Sequence, residues 1–191
     1  MIDDLGLLAA RLALGLSYAS HGTQKTFGWF GGPGPKGAAG FMESLGFKPG
    51  ETYAAMASYG EVVAGLLIAA GAGGPVGPAM LLANMLVAQT TVHAKNGFYA
   101  SNNGIEVGVL YSTGALALAS SGYGALSVDR ALGVHEKLSH PVLKTLLLAG
   151  ALAAGYAALA QRKESPPPGT LAEPTLKGER NGQPATAPSG A

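Results

Sequence analysis

Three proton-carrying side chains stand in or at the edge of long apolar runs: His21, Glu61 and His93. Imidazole, with a pKa near about 6.5, exchanges protons at neutral pH. A carboxyl group inside an apolar run is costly to keep and marks a proton relay, an ion path or a fixed partner. These three are the candidate catalytic residues. Arg11, Lys25, Asn96, Phe98 and Glu106 lie on the same runs or just beyond them and form the candidate binding group. An arginine at the centre of a membrane helix costs roughly 2.5–3.5 kcal/mol on insertion scales, so Arg11 calls for a partner. Other chemistries find little support. The chain has no cysteine, which removes thiolate catalysis and Cys-ligated zinc or iron–sulfur sites. No Glu-x-x-His pair occurs on any apolar run, so the carboxylate-rich metal pattern of helix bundles is missing and no metal is expected. No nucleophile elbow is present. Residues 32–37 match G-x-G-x-x-G, but no strand precedes them and two prolines interrupt them, so dinucleotide binding is not inferred.

Five apolar runs must position these residues. Charged residues make up 12% of the 191, about half the quarter usual in soluble proteins, and apolar residues make up 48%. This composition predicts an all-α integral membrane protein. The expected spans are 4–24, 53–72, 76–94, 105–120 and 142–160, the first being retained because its acidic start does not suit a secretory signal. The thirty glycines suit close helix packing in lipid. Phe27, Trp29 and Phe30 are expected at the membrane interface. The glycine- and proline-rich stretch 31–40 reads as a loop, and 41–47 as a short helix lying in the interface. The stretch 121–140 reads as a polar connector with some helix at the membrane surface. The proline-rich tail, 164–191, reads as disordered. The domain plan is thus a four-span unit over 1–132, a connector and fifth span over 133–163, and the tail. Net charge is +1, so no nucleic-acid partner is expected. The bilayer is the expected environment, with self-association left open.

Short connections make consecutive runs alternate in direction, which brings His21, Lys25, His93, Asn96 and Glu106 to one face. Glu61 lies about eight residues inside the second run, roughly 12 Å deep, and Arg11 roughly 20 Å deep. The difference of roughly 8 Å is within an arginine's reach. The spacing therefore predicts that Glu61 pairs with Arg11, or with His21 above it. Each residue also has a plainer role. A charge pair can simply lock two helices, His21 and His93 can serve helix C-termini, and Lys25 can reach for headgroups. Glu106 can be a first-turn acid, and Asn84 and Gln89 can bond between helices.

The chain resembles the DoxX family of small bacterial membrane proteins. The likeness rests on Arg11-x-x-x-Gly15, His21-Gly22-x-x-Lys25-x-Phe27-Gly28, Trp29-Phe30-Gly31-Gly32-x-Gly34, the F-M-E-S-L-G-F of 41–47, Glu61, T-V-H-A-K-N-G-F at 91–98 and L-S-V-D-R at 126–130. It covers roughly residues 5–132, and the fifth run and tail lie beyond it. The resemblance implies a four-helix integral membrane bundle in the plasma membrane, here with an additional C-terminal transmembrane helix. It implies association with membrane redox or oxidative-stress assemblies and their partner proteins, an oxidoreductase subunit if a reaction is catalysed, and quinone as the ligand. His21 and His93 would then donate to the two ring oxygens or relay protons, Glu61 would take the coupled proton or set the charge of His21, and Lys25 would favour the reduced ring. Two other classes stay open: a non-enzymatic scaffold recruiting partners, and a conduit for protons or a small molecule.

Overall fold

A computed structural model describes residues 2–163, and the tail expected to be disordered lies outside the described residues. All secondary structure among the described residues is helical. Helix α1 runs Ile2–Phe27, α2 Gly34–Ser44, α3 Gly50–Ala70 and α4 Val76–Ala88. Helix α5 spans Glu106–Ser121. Two single-turn helices follow, α6 (Val128–Ala131) and α7 (His135–Leu138), before α8 (Pro141–Ala160). Of these, α3 and α8 are long and apolar enough to cross a membrane. The other expected spans differ in kind: α4 and α5 are 13 and 16 residues, and α1 carries Asp3, Asp4, Arg11 and Lys25 along its 26. The regular turns of α4 stop at Ala88, and Gln89–His93 continues as a π-helical segment. Such widened turns commonly accompany functional sites.

One expectation is corrected here. The stretch read as a loop over 31–40 is helical from Gly34, so α2 is longer than the expected interfacial segment and begins earlier. Pro35 falls in the first turn, where its missing N–H leaves no helix bond unmade. The alanines that follow then bury, with Ala38 and Ala39 packed against Ala54 of α3. Burial of the alanine face outweighs the low helix propensity of the glycines.

The antiparallel pair α1 and α3 forms the spine. Gly15 and Gly65 face one another so closely that a Cβ on either would collide with the opposite backbone, and Gly22 sits equally close to Ser58 and Val62. Small residues let the two backbones touch, which is the main source of helix affinity where lipid removes the hydrophobic drive. Around this spine the core gathers Tyr18, Ile68, Leu81, Ala115, Leu118 and Tyr123 from α1, α3, α4, α5 and the segment after α5. Helix α8 lies outside the spine and docks on α4, with Gly155 against the Ala83 carbonyl and Leu86.

Candidate functional site

The buried stripe of α3 recurs at Ala54, Ser58, Glu61, Gly65 and Ile68, alternating steps of four and three, and so places Glu61 on the face that meets α1. On α1 the spacing of seven aligns Arg11, Tyr18 and Lys25 along one stripe. The glycine contacts set the register between the two. Gly22 meets the stretch 58–62, which puts Glu61 level with the His21–Gly22 turn. Gly71 meets the Arg11 guanidinium, ten residues and about 15 Å further along α3.

The expected Arg11–Glu61 pair is therefore not formed. Glu61 accepts instead from Lys25, with Nζ 2.5 Å from Oε1. Arg11, 1% exposed, donates through Nη1 to the Tyr123 carbonyl and through Nη2 to the Leu126 carbonyl, both at 2.6 Å, with its guanidinium 5.8 Å from the Tyr123 ring centre. The expectation took the ends of the first two runs as flush. The interlocked glycines shift the true register by about one further turn, beyond the arginine's reach.

Glu61 is 5% exposed and stands between two cavities. One, of about 330 Å³, is lined by Tyr18, His21, Lys25, Glu61, His93 and Tyr111 among others. The second, of about 470 Å³, is mostly apolar and lies between α1, α2, α3 and α4; it shares Lys25, Glu61, Ala88, His93 and Asn103 with the first. The carboxylate is only partly satisfied. Oε1 takes Lys25 and a long 3.4 Å bond from Asn84, whose amide also donates to the Ala57 carbonyl at 3.3 Å. Oε2 has no hydrogen-bond partner among the described residues. The Tyr18 hydroxyl is likewise buried with no hydrogen-bond partner among the described residues. Two orphaned polar atoms beside a cavity are a standing demand for a ligand or ordered water, because a buried oxygen without a partner costs about 1–3 kcal/mol.

The histidines enter from opposite walls. His21 is exposed on α1 and lies edge-on to Tyr111, ring centres 6.1 Å apart. The π-helical segment turns His93 so that Nδ1 is 2.8 Å from the Asn103 carbonyl. A carbonyl only accepts, so this bond puts the proton on Nδ1 and leaves Nε2 as the acceptor of a neutral ring.

The fold thus brings His21, Lys25, Glu61 and His93 to one lined space and leaves the remaining candidates elsewhere. Arg11 sits at the opposite end of the spine. Asn96 is taken up by the Val92 and Asn103 carbonyls. Phe98 stacks edge-on with Tyr99 at an exposed position. Glu106 accepts from the Ala100 N–H at 2.8 Å and closes the loop before α5, the plainer role open to it from the sequence. Two residues outside the candidate group belong to the site, Tyr18 and Asn84. The sequence reading missed Tyr18, and its spacing of seven residues from both Arg11 and Lys25 is the signal that could have found it; Asn84 carries a pairing role and a lining role at once.

The structure is that of an all-helical protein with a part-buried ion pair, Lys25–Glu61, between two cavities. The DoxX family model matches residues 6–94, and across that stretch the chain belongs to the DoxX family. The matched stretch holds most of α1 and all of α2 to α4, and with them Arg11, His21, Lys25, Glu61 and His93. Family membership and the two long apolar helices mark a membrane protein. No curated protein and no solved structure matches the chain.

Proposed function

We propose that the chain is a quinol-binding subunit of a redox or oxidative-stress assembly in the plasma membrane, built as a multi-pass bundle with α8 as an added span. The observation that carries the reading is Glu61. Its Oε2 is buried without a partner, beside two cavities whose combined lining is apolar walls with few polar groups, the usual make-up of a small-molecule site. Oε2 accepts a hydrogen bond from a ring hydroxyl, and Tyr18 donates to or accepts from the same group. Lys25 offsets the carboxylate charge, so the headgroup that fits best is neutral and carries a hydroxyl. His93 presents Nε2 to the shared space as a proton acceptor, and His21 stands between the cavity and the surface. The quinone chemistry when bound is redox; the side chains here supply hydrogen bonds and proton transfer, and electron exchange is assigned to a partner protein.

The test is purification in detergent followed by extraction for quinone, visible absorption and metal analysis. Wild-type protein should carry quinone or take it up on addition, and Glu61→Gln and His93→Ala should remain folded while losing it. Wild-type protein that neither carries nor takes up quinone would leave the scaffold as the better account.

A further inference from the structure

The cavity beside Glu61 does not end at the headgroup. An open groove of about 240 Å³ shares Met42, Phe47, Ala57, Asn84 and Val87 with the apolar cavity and continues it outward between α3, α4 and α8. Its outer wall is Ala154, Gly155 and Ala158 of α8, a helix beyond the stretch matched by the family model. Small residues on that wall keep the groove wide, while Met56 and Met80 line the facing sides with unbranched, adaptable surface. The wall is fastened. Tyr53 donates to the Gln161 side chain at 2.9 Å, the Arg162 Nε donates to the Leu45 carbonyl, and the Lys163 N–H donates to the Gly46 carbonyl at 2.9 Å. These bonds tie the end of α8 to the segment that carries Phe47, a residue lining both the groove and the inner cavity.

We infer that this groove is a tail channel: the ligand is a membrane lipid with a hydroxyl-bearing ring at Glu61 and a long apolar chain lying between α3, α4 and α8. The inference rests on the headgroup reading above and adds the substrate class, excluding water-soluble phenols and tailless quinols as the natural occupants. Continuity supports it. A polar end with an orphaned acceptor, an apolar chamber and an apolar groove open toward the outside of the bundle follow one another in that order. Helix α8, which walls the groove, is long and apolar enough to cross a membrane, and Leu152 and Tyr156 outside the groove are exposed on it. A lipid tail therefore enters sideways from the hydrocarbon without crossing water.

The test uses the full chain in lipid nanodiscs with two probes, a decyl-substituted benzoquinol and the same ring without its tail. Each probe partitions equally into discs holding wild type or variant, so the ratio between proteins reports the site. Ala154→Trp fills the groove from an exposed position, and Tyr156→Trp on the outer face of α8 is the control. Ala154→Trp should weaken the decyl probe at least tenfold and leave the tailless ring within twofold, while Tyr156→Trp changes neither. Equal loss of both probes, or no loss of the decyl probe, would overturn the channel. Wild type that binds neither probe would overturn the headgroup reading and the channel with it, whereas tight binding of the tailless ring with no effect of Ala154→Trp overturns the channel alone. A photoreactive group at the end of the decyl chain supplies a readout on wild type: labelling at Met56, Met80 or Ala154 supports the channel, and labelling confined to other helices contradicts it.

Discussion

The two ends of the α1–α3 spine use the same raw material, a buried charge, to opposite effect. At one end Arg11 is clasped. Both terminal nitrogens bond carbonyls of the segment after α5, and Asp129 of that segment accepts from the Gly73 and Gly74 N–H groups at 2.8 and 2.7 Å. Little room remains, and the cavity beside Asp129 and Tyr123 is about 10 Å³. Burial, reinforced by Asp129, pushes the Tyr123 phenol above its usual range, so it stays protonated. At the other end Glu61 has one strong partner, one weak one and an oxygen with none, beside several hundred cubic ångströms of space. Each end keeps two buried polar atoms without a partner among the described residues, Arg11 Nε and the Tyr123 hydroxyl at one and Glu61 Oε2 and the Tyr18 hydroxyl at the other, so the ends differ in the room beside those atoms. A buried charge is read by the space beside the atoms it leaves unsatisfied: little at Arg11, room for a ligand at Glu61.

The largest effect should come from breaking the clasp. Arg11→Leu strands the buried Tyr123 carbonyl and the part-buried Leu126 carbonyl, a loss on the order of 2–4 kcal/mol in thermal unfolding. Arg11→Lys should recover only part of it, because an ammonium cannot span two carbonyls as the planar fork does. Combining Arg11→Leu with Glu61→Leu should give additive losses within about 0.5 kcal/mol, the behaviour of sites that do not touch. Strong coupling in that cycle would mean that the two ends communicate.

Asp129→Asn comes next. The amide leaves one of the two glycine N–H groups facing another donor, for a loss of about 1.5–3 kcal/mol in the same assay, with quinol binding unchanged. Gly65→Ala acts on the register that separates the two ends. Overpacking against the Gly15 and Ala19 backbones costs about 1–3 kcal/mol and outweighs a helix-propensity gain of at most about 1 kcal/mol. Both Arg11-dependent stability and ligand binding should fall, since the shift moves every contact along the spine.

Glu61→Gln should do least to stability and most to binding. Lys25 is one-third exposed, so the ion pair contributes about 0–1 kcal/mol, and the substitution keeps the shape. Quinol affinity, read by titration into nanodiscs, should fall at least tenfold. A variant that loses several kcal/mol of stability while keeping its affinity would reverse the comparison and make Glu61 the structural charge.

Much of this was legible in the residues. The apolar runs announced α3, α5 and α8 to within a few positions, and the polar residues that interrupt them included the four that meet at the cavities. The loop expected over 31–40 went wrong because glycine and proline mark turns by propensity, whereas Ala38 and Ala39 found a surface on α3 to bury against. Asn96 and Glu106 were placed at the correct end of the bundle, but local backbone groups consumed their hydrogen bonds before any site could use them.

The sequence by itself determined that long apolar helices carry a few costly charges, and that Arg11, Tyr18 and Lys25 share a stripe. Those follow from periodicity and composition, which need no neighbour. Only the tertiary structure decided which charge meets which. Partner choice depends on the axial register of α1 against α3, and one helical turn, about 5.4 Å, separates an arginine that reaches a carboxylate from one that does not. That register is set by the close approach of Gly15 to Gly65 and of Gly22 to Ser58, contacts between residues with little or no side chain, whose meeting is a property of two helices together.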